Sequence, residues 1–203
     1  MRKLVTLFIF FTGILLFVTT AQAAPFIYNE SISGDLVQSL PAPTVFPFDI
    51  GVNSVLGTNF VTHDASGNTI GDFDSFAFSI LAGTQLTQAS FSFIASLVGK
   101  TFAVTDYQLD LGNSFSNVLA SIAIDLTGAS PVAPFGGILP LGPDTYGMGN
   151  GGLGLIDGGW SASYQWDFTV QAVPSVPEPS TMLLLGSGLI GLAGYGRKKF
   201  FKK

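Results

Sequence analysis

From Trp160 to Val170 the chain alternates without a break: Trp160, Ala162, Tyr164, Trp166, Phe168 and Val170 fall on one side of an extended backbone, and Ser161, Ser163, Gln165, Asp167 and Thr169 on the other. A period of two sorts side chains this way in a half-buried strand, whereas a helix would scatter them around its axis. The same alternation returns at Thr87, Ala89, Phe91, Phe93 and Ala95, and at Val118, Ala120, Ile122, Ile124 and Leu126 with Asp125 outward. Further strand candidates are residues 26–29, 36–39, 48–56, 73–80 and 101–111, with turn formers such as Ser66-Gly67-Asn68, Ala82-Gly83-Thr84 and Leu111-Gly112-Asn113-Ser114 between them. Strands at roughly 10-residue spacing, with no amphipathic helix among them, predict an all-β domain: an antiparallel β-sandwich of jelly-roll-like form. On this pattern Trp160, Tyr164 and Trp166 belong to the core, and Tyr107 and Tyr146 are the alternative candidates for stacking on a sugar.

Two stretches interrupt the rhythm, a proline-rich one at residues 130–143 and a glycine-rich one at 146–159. The second contains Gly149-Asn150-Gly151-Gly152-Leu153-Gly154, a literal G-x-G-x-x-G. The dinucleotide fingerprint needs a strand before it and a helix after it, and neither pattern is present, so this segment reads as a loop. There is no internal repeat.

The two ends follow different rules. Arg2 and Lys3 precede an apolar run from Leu4 to Val18, and Ala21-Gln22-Ala23 follows. A charged start, a short apolar helix and a small-residue site are the marks of a Sec-type signal peptide, to be cut between Ala23 and Ala24. At the other end stand Val176-Pro177-Glu178-Pro179-Ser180-Thr181, a glycine-studded apolar run from Met182 to Gly196, and the basic stop Arg197, Lys198, Lys199, Lys202 and Lys203. The apolar run is somewhat short of the ~20 residues of a full span, and the terminal cations set a positive-inside orientation that leaves the rest of the chain outside the cytoplasm. The prolines flanking Glu178 hold that stretch extended and accessible, and the glycines thin one helix surface for a membrane partner or a second copy. This tail resembles that of the PEP-CTERM proteins of Gram-negative bacteria. The resemblance implies an exosortase, an integral-membrane protease and transpeptidase, as processing partner.

The chain thus divides into a signal peptide (1–23), a passenger domain (24–175) and a sorting signal (176–203) containing a transmembrane helix. Roughly 150 passenger residues suffice for one domain with a substantial core. Removing the ends changes the charge sharply. Lys100 is the one basic residue of the passenger against twelve Asp and Glu, a formal −11 where the whole chain carries −5. Such a surface repels phosphate backbones and anionic lipid, which excludes nucleic acid as a partner; divalent cations and neutral sugars remain, beside plain solubility. With no cysteine there is neither a disulfide framework nor a lipoprotein anchor.

The passenger is poor in reactive groups. A nucleophile needs a base within reach, and the chain offers a single histidine, His63, whose neighbour Asp64 would point to the opposite side of a strand. No catalytic residue is assigned, and the protein is expected not to be an enzyme. Asp72 and Asp74, two apart, would share a strand face, as would Asp106 and Asp110; close carboxylates could hold Ca²⁺ or, with one pKa raised, support hydrolysis, or could simply be solvated. No other cofactor is implied. The segments Gly51-Val52-Asn53-Ser54-Val55-Leu56-Gly57-Thr58, Asp72-Phe73-Asp74-Ser75-Phe76-Ala77-Phe78 and Ala82-Gly83-Thr84-Gln85-Leu86-Thr87 are similar to bacterial pre-peptidase C-terminal domains. That resemblance implies a secreted β-sandwich associated with carbohydrate or matrix. The passenger also resembles that of PEP-CTERM proteins with an F-x-D-x-F tag, here Ile70-x-Asp72-x-Asp74-x-Phe76 with isoleucine where the tag opens on an aromatic.

The expectation is an exported protein, passed through the Sec translocon and signal peptidase and held transiently in the inner membrane. It would then be delivered to the cell surface or to an exopolysaccharide or biofilm matrix. Its role would be structural or adhesive. A carbohydrate-binding module, Ca²⁺-assisted, and a secreted hydrolase using acidic residues are the alternatives, and extracellular polysaccharide is the further partner.

Overall fold

The computed structural model of the chain describes residues 24–36, 44–63, 69–97, 104–112, 116–150, 159–174 and 183–192. In chain order the passenger elements are β1 (Ile27–Asn29), α1 (Glu30–Ser33), β2 (Val45–Phe48), β3 (Gly51–His63), β4 (Thr69–Asp72), β5 (Ser75–Ile80), β6 (Thr84–Leu97), β7 (Val104–Leu111), β8 (Val118–Asp125), β9 (Thr145–Asn150) and β10 (Trp160–Ala172). The domain is all-β. One sheet runs β1-β3-β10-β6 with β4 also on β3, and the other runs β2-β5-β9-β7-β8.

The alternation of β10 places its side chains as the sequence requires. Trp160, Ala162, Tyr164, Trp166, Phe168 and Val170 are all buried, and between them Ser161 and Ser163 are exposed. β10 is central in its sheet, paired antiparallel with β3 on one side and β6 on the other, so its inner face meets the second sheet head on. Phe168 contacts the rings of Phe48 and Phe78 at centroid separations of 5.1 Å, and Trp166 meets Tyr107 edge-on at 5.0 Å. These rings come from opposite sheets. One core cluster therefore joins both layers, with aromatic pairs in the offset and edge geometries that add to plain area burial. The core reading of Trp160, Tyr164 and Trp166 holds, while Tyr107 and Tyr146, the alternative sugar-stacking candidates, are buried too, at 1% and 4% exposure.

Three features differ from the expectation. The sheets are mixed rather than wholly antiparallel, because β1 runs parallel to β3 and β2 parallel to β5. The cause is the path of the chain. It passes from the first sheet (β1) to the second (β2), back to the first (β3, β4) and again to the second (β5), and strands joined by such crossovers meet in the same direction. Second, helix is not confined to the ends: the single turn α1 follows β1, capped by Asn29, whose Oδ1 accepts the Ser31 N–H. Third, the glycine-rich segment, expected as a loop, opens on a strand, β9, lying between β5 and β7. Tyr146 and Met148 point into the core, and Gly147 and Gly149 occupy the alternate positions where β9 is covered.

Candidate functional site

The edge of β3 turned away from β10 is covered in pieces. β1 pairs with Ser54–Leu56 and β4 with Phe60–His63, which leaves Gly57, Thr58 and Asn59 between them without a strand partner on that side. The gap is closed by a side chain. After β1 the chain turns into α1, and the Glu30 carboxylate accepts the Thr58 N–H through Oε2 at 2.8 Å and the Leu36 N–H through Oε1 at 2.9 Å. Both oxygens are thus fixed by backbone. The position beside them must be glycine, since a Cβ on Gly57 would stand 2.9 Å from Glu30 Oε2 and 2.5 Å from the Tyr164 hydroxyl oxygen.

Two more carboxylates converge on the same place. Asp35 lies just past α1 and is exposed, and Asp74 lies in the link between β4 and β5, where the chain leaves one sheet for the other. One carboxylate oxygen from each of Glu30, Asp35 and Asp74 lies within 4.8 Å of the others. The Tyr164 hydroxyl donates to Asp74 Oδ2 at 2.7 Å, while Asp74 Oδ1, in a residue only 1% exposed, has no hydrogen-bond partner. Burial pushes the Asp74 carboxyl up to about 8 against the opposing Tyr164 hydrogen bond, and the nearby charges of Glu30 and Asp72, with the Glu30 carboxyl close enough to share the Asp74 proton, push in the same direction as burial. Burial raises Glu30 as well, resisted by its two backbone N–H donors and reinforced by Asp35. The Tyr164 phenol stands well above its ordinary value because it is buried among Tyr107, Asp74 and Glu30. A concavity of about 430 Å³ opens over Glu30, Asp35, Thr58 and Tyr164.

The sequence pattern anticipated only one member of this group. Asp72 and Asp74 do not share a strand face: Asp72 ends β4 in one sheet and Asp74 precedes β5 in the other, so the two-residue rule does not apply across the link. Asp74 has Glu30 and Asp35 within ligand distance instead. Asp106 and Asp110 are separated as well, because a register shift between Leu109 and Asp110 turns Asp110 fully inward and leaves Asp106 half-buried. Glu30 and Asp35 were missed because nothing local marks them. The one available signal was a pair of acids flanking Gly34 directly after the first strand. His63 ends β3, and Asp64 lies outside the described residues.

Residues 173–203 form a second compact unit. Residues 183–192 are α-helical and apolar all round, with Leu183, Leu184, Leu185, Leu189, Ile190 and Leu192 exposed, and its one hydroxyl, Ser187 Oγ, donates to the Leu184 carbonyl at 3.0 Å. Among the described residues no helix is long and apolar enough to cross a membrane. The motif Val176, Pro177, Glu178, Pro179, Ser180, Thr181, the basic stop, and Ala21 and Ala23 of the signal peptide lie outside the described residues. Ala24 is described and exposed.

No curated protein matches the chain. Residues 175–198 match the family model of the PEP-CTERM protein-sorting motif, so the chain carries a PEP-CTERM sorting signal and is an exosortase substrate directed toward the cell surface.

Proposed function

We propose that the passenger, once sorted, serves as a non-enzymatic structural or adhesive component of the cell surface or of an exopolysaccharide or biofilm matrix. The observation that carries this reading is the sorting signal at residues 175–198, a device for placing a passenger outside the cell. In this reading the precursor crosses by the Sec translocon, loses residues 1–23 to signal peptidase, and is held briefly in the inner membrane by the apolar run of 182–196. The exposed leucines of 183–192 favour an apolar surrounding, because a helix apolar on every side has no face suited to water.

The character of the passenger favours structure over chemistry. Its aromatic rings fill the core: Trp166, Phe168, Phe48, Phe76 and Phe78 are at most 1% exposed. A sugar-binding sandwich needs such rings on its surface, so the carbohydrate-binding alternative loses its candidates Tyr107 and Tyr146, which are buried along with Trp160, Tyr164 and Trp166, as stacking platforms. The hydrolase alternative loses Asp72 with Asp74, and Asp106 with Asp110, as same-face pairs, while Asp74 has Glu30 and Asp35 beside it instead. The test is made in the producing cell. Deleting the gene should weaken matrix cohesion, and a plasmid copy of the parent gene should restore it. A matrix of unchanged cohesion in the deletion strain contradicts the structural role.

A further inference from the structure

We propose that Glu30, Asp35 and Asp74 bind one divalent cation of the Ca²⁺ type at the open edge of β3. The inference concerns the passenger alone and does not rest on its sorting or its role in a matrix. Four observations converge on it. Three carboxylates from separate segments, α1, the loop after it and the β4–β5 link, present oxygens within 4.8 Å of one another. Carboxylate oxygens with room for several waters suit the larger, adaptable oxygen shell of Ca²⁺ better than the strict octahedron of Mg²⁺.

The second observation is Asp74 Oδ1. It belongs to a side chain 99% buried by exposure of 1%, and its sister oxygen is satisfied by Tyr164, yet Oδ1 itself has no donor. In the metal-free protein a proton held by Asp74 beside Glu30 offsets part of this cost, and a cation bound there would take that proton's place. The third is charge. None of the described residues is Lys or Arg, so no side-chain cation among them can offset three gathered acids. The fourth is preorganisation: two backbone N–H groups fix the Glu30 carboxylate, and Gly57 keeps clear the space that a Cβ would fill. The remaining coordination would come from water through the opening over Thr58 and Asp35. A cation held there ties α1 and the loop after it to the crossover from β4 to β5.

The full chain, purified in mild detergent and stripped with chelator, is titrated with CaCl₂ by calorimetry, and thermal unfolding is followed with and without the ion. One Ca²⁺ per chain and a raised Tm are expected. Asp35→Asn is the informative variant, because Asp35 is exposed and its loss leaves the core intact; affinity should fall at least tenfold, while Asp125→Asn, on β8, should stay within twofold of the parent. Glu30→Gln gives a second reading wherever its circular dichroism matches the parent. Absence of saturable Ca²⁺ uptake, or parental affinity in Asp35→Asn, overturns the proposal. Neither result bears on whether the tail is processed, so the sorting role stands or falls separately.

Discussion

Gly57 shows how one residue without a side chain sets the geometry of its neighbours. Its place on β3 faces Tyr164 and Glu30 so closely that a methyl group would meet the phenol oxygen at 2.5 Å and the carboxylate at 2.9 Å. Both of those groups are tied elsewhere, Tyr164 to Asp74 and Glu30 to the backbone of Thr58 and Leu36. Gly57→Ala is therefore expected to destabilise the passenger by about 1–3 kcal/mol, the range for overpacking a fixed surround. Chemical denaturation reads this directly, and an unchanged midpoint would show that Glu30 swings aside at no cost. Asp74 gives a second expectation. Its folded pKa, about 8, stands above the unfolded value near 3.8, so the native state retains a proton that the unfolded state has lost. In metal-free protein this stabilising contribution is present below pH 4 and is lost as pH rises toward 8, at up to about 1.4 kcal/mol per pH unit. The groups that face it are Glu30 on α1, Asp35 beyond it, Asp72 on β4, Tyr28 on β1 and Tyr164 on β10. Unfolding of Asp74→Asn beside the parent, in chelator, should show the variant gaining relative stability with pH across that window; a constant difference would contradict it.

At the scale of elements, β10 bears the largest share of the core. It is paired along nearly its whole length on both sides, and Trp166 and Phe168 reach the rings of the opposite sheet. Trp166→Ala or Phe168→Ala should cost about 3–5 kcal/mol. The exposed Ser161→Ala on the same strand should cost within about 0.5 kcal/mol; equal losses would mean that β10 does not organise the core. This strand was legible because its period is uninterrupted by bulk or glycine. β9 was not, since glycine is depleted in strands and Gly147 and Gly149 masked an alternation carried by only Tyr146 and Met148. The acidic niche was illegible for another reason: Glu30 lies 28 residues from Thr58 and Tyr164 lies 90 from Asp74, and no local period reports a meeting at such separations. The parallel pairs β1·β3 and β2·β5 likewise depend on a crossover path that strand spacing leaves open.

For the whole molecule, charge and address fall on different parts of the chain. The cations belong to the two ends apart from Lys100, and the passenger carries twelve acids. On the proposed route the basic residues would orient the two ends, and removal of both would leave an acidic passenger. The motif was readable from sequence because a sorting signal is recognised as a linear string, unlike a folded site. If Pro177, Glu178 and Pro179 carry recognition, replacing all three by alanine should leave the precursor uncut in the membrane fraction of a host that makes exosortase. The most direct measurement is the intact mass of the protein released from such cells. The mass expected is that of a passenger beginning at Ala24 and lacking Arg197 to Lys203; recovery of released protein with those seven residues still attached would contradict exosortase processing.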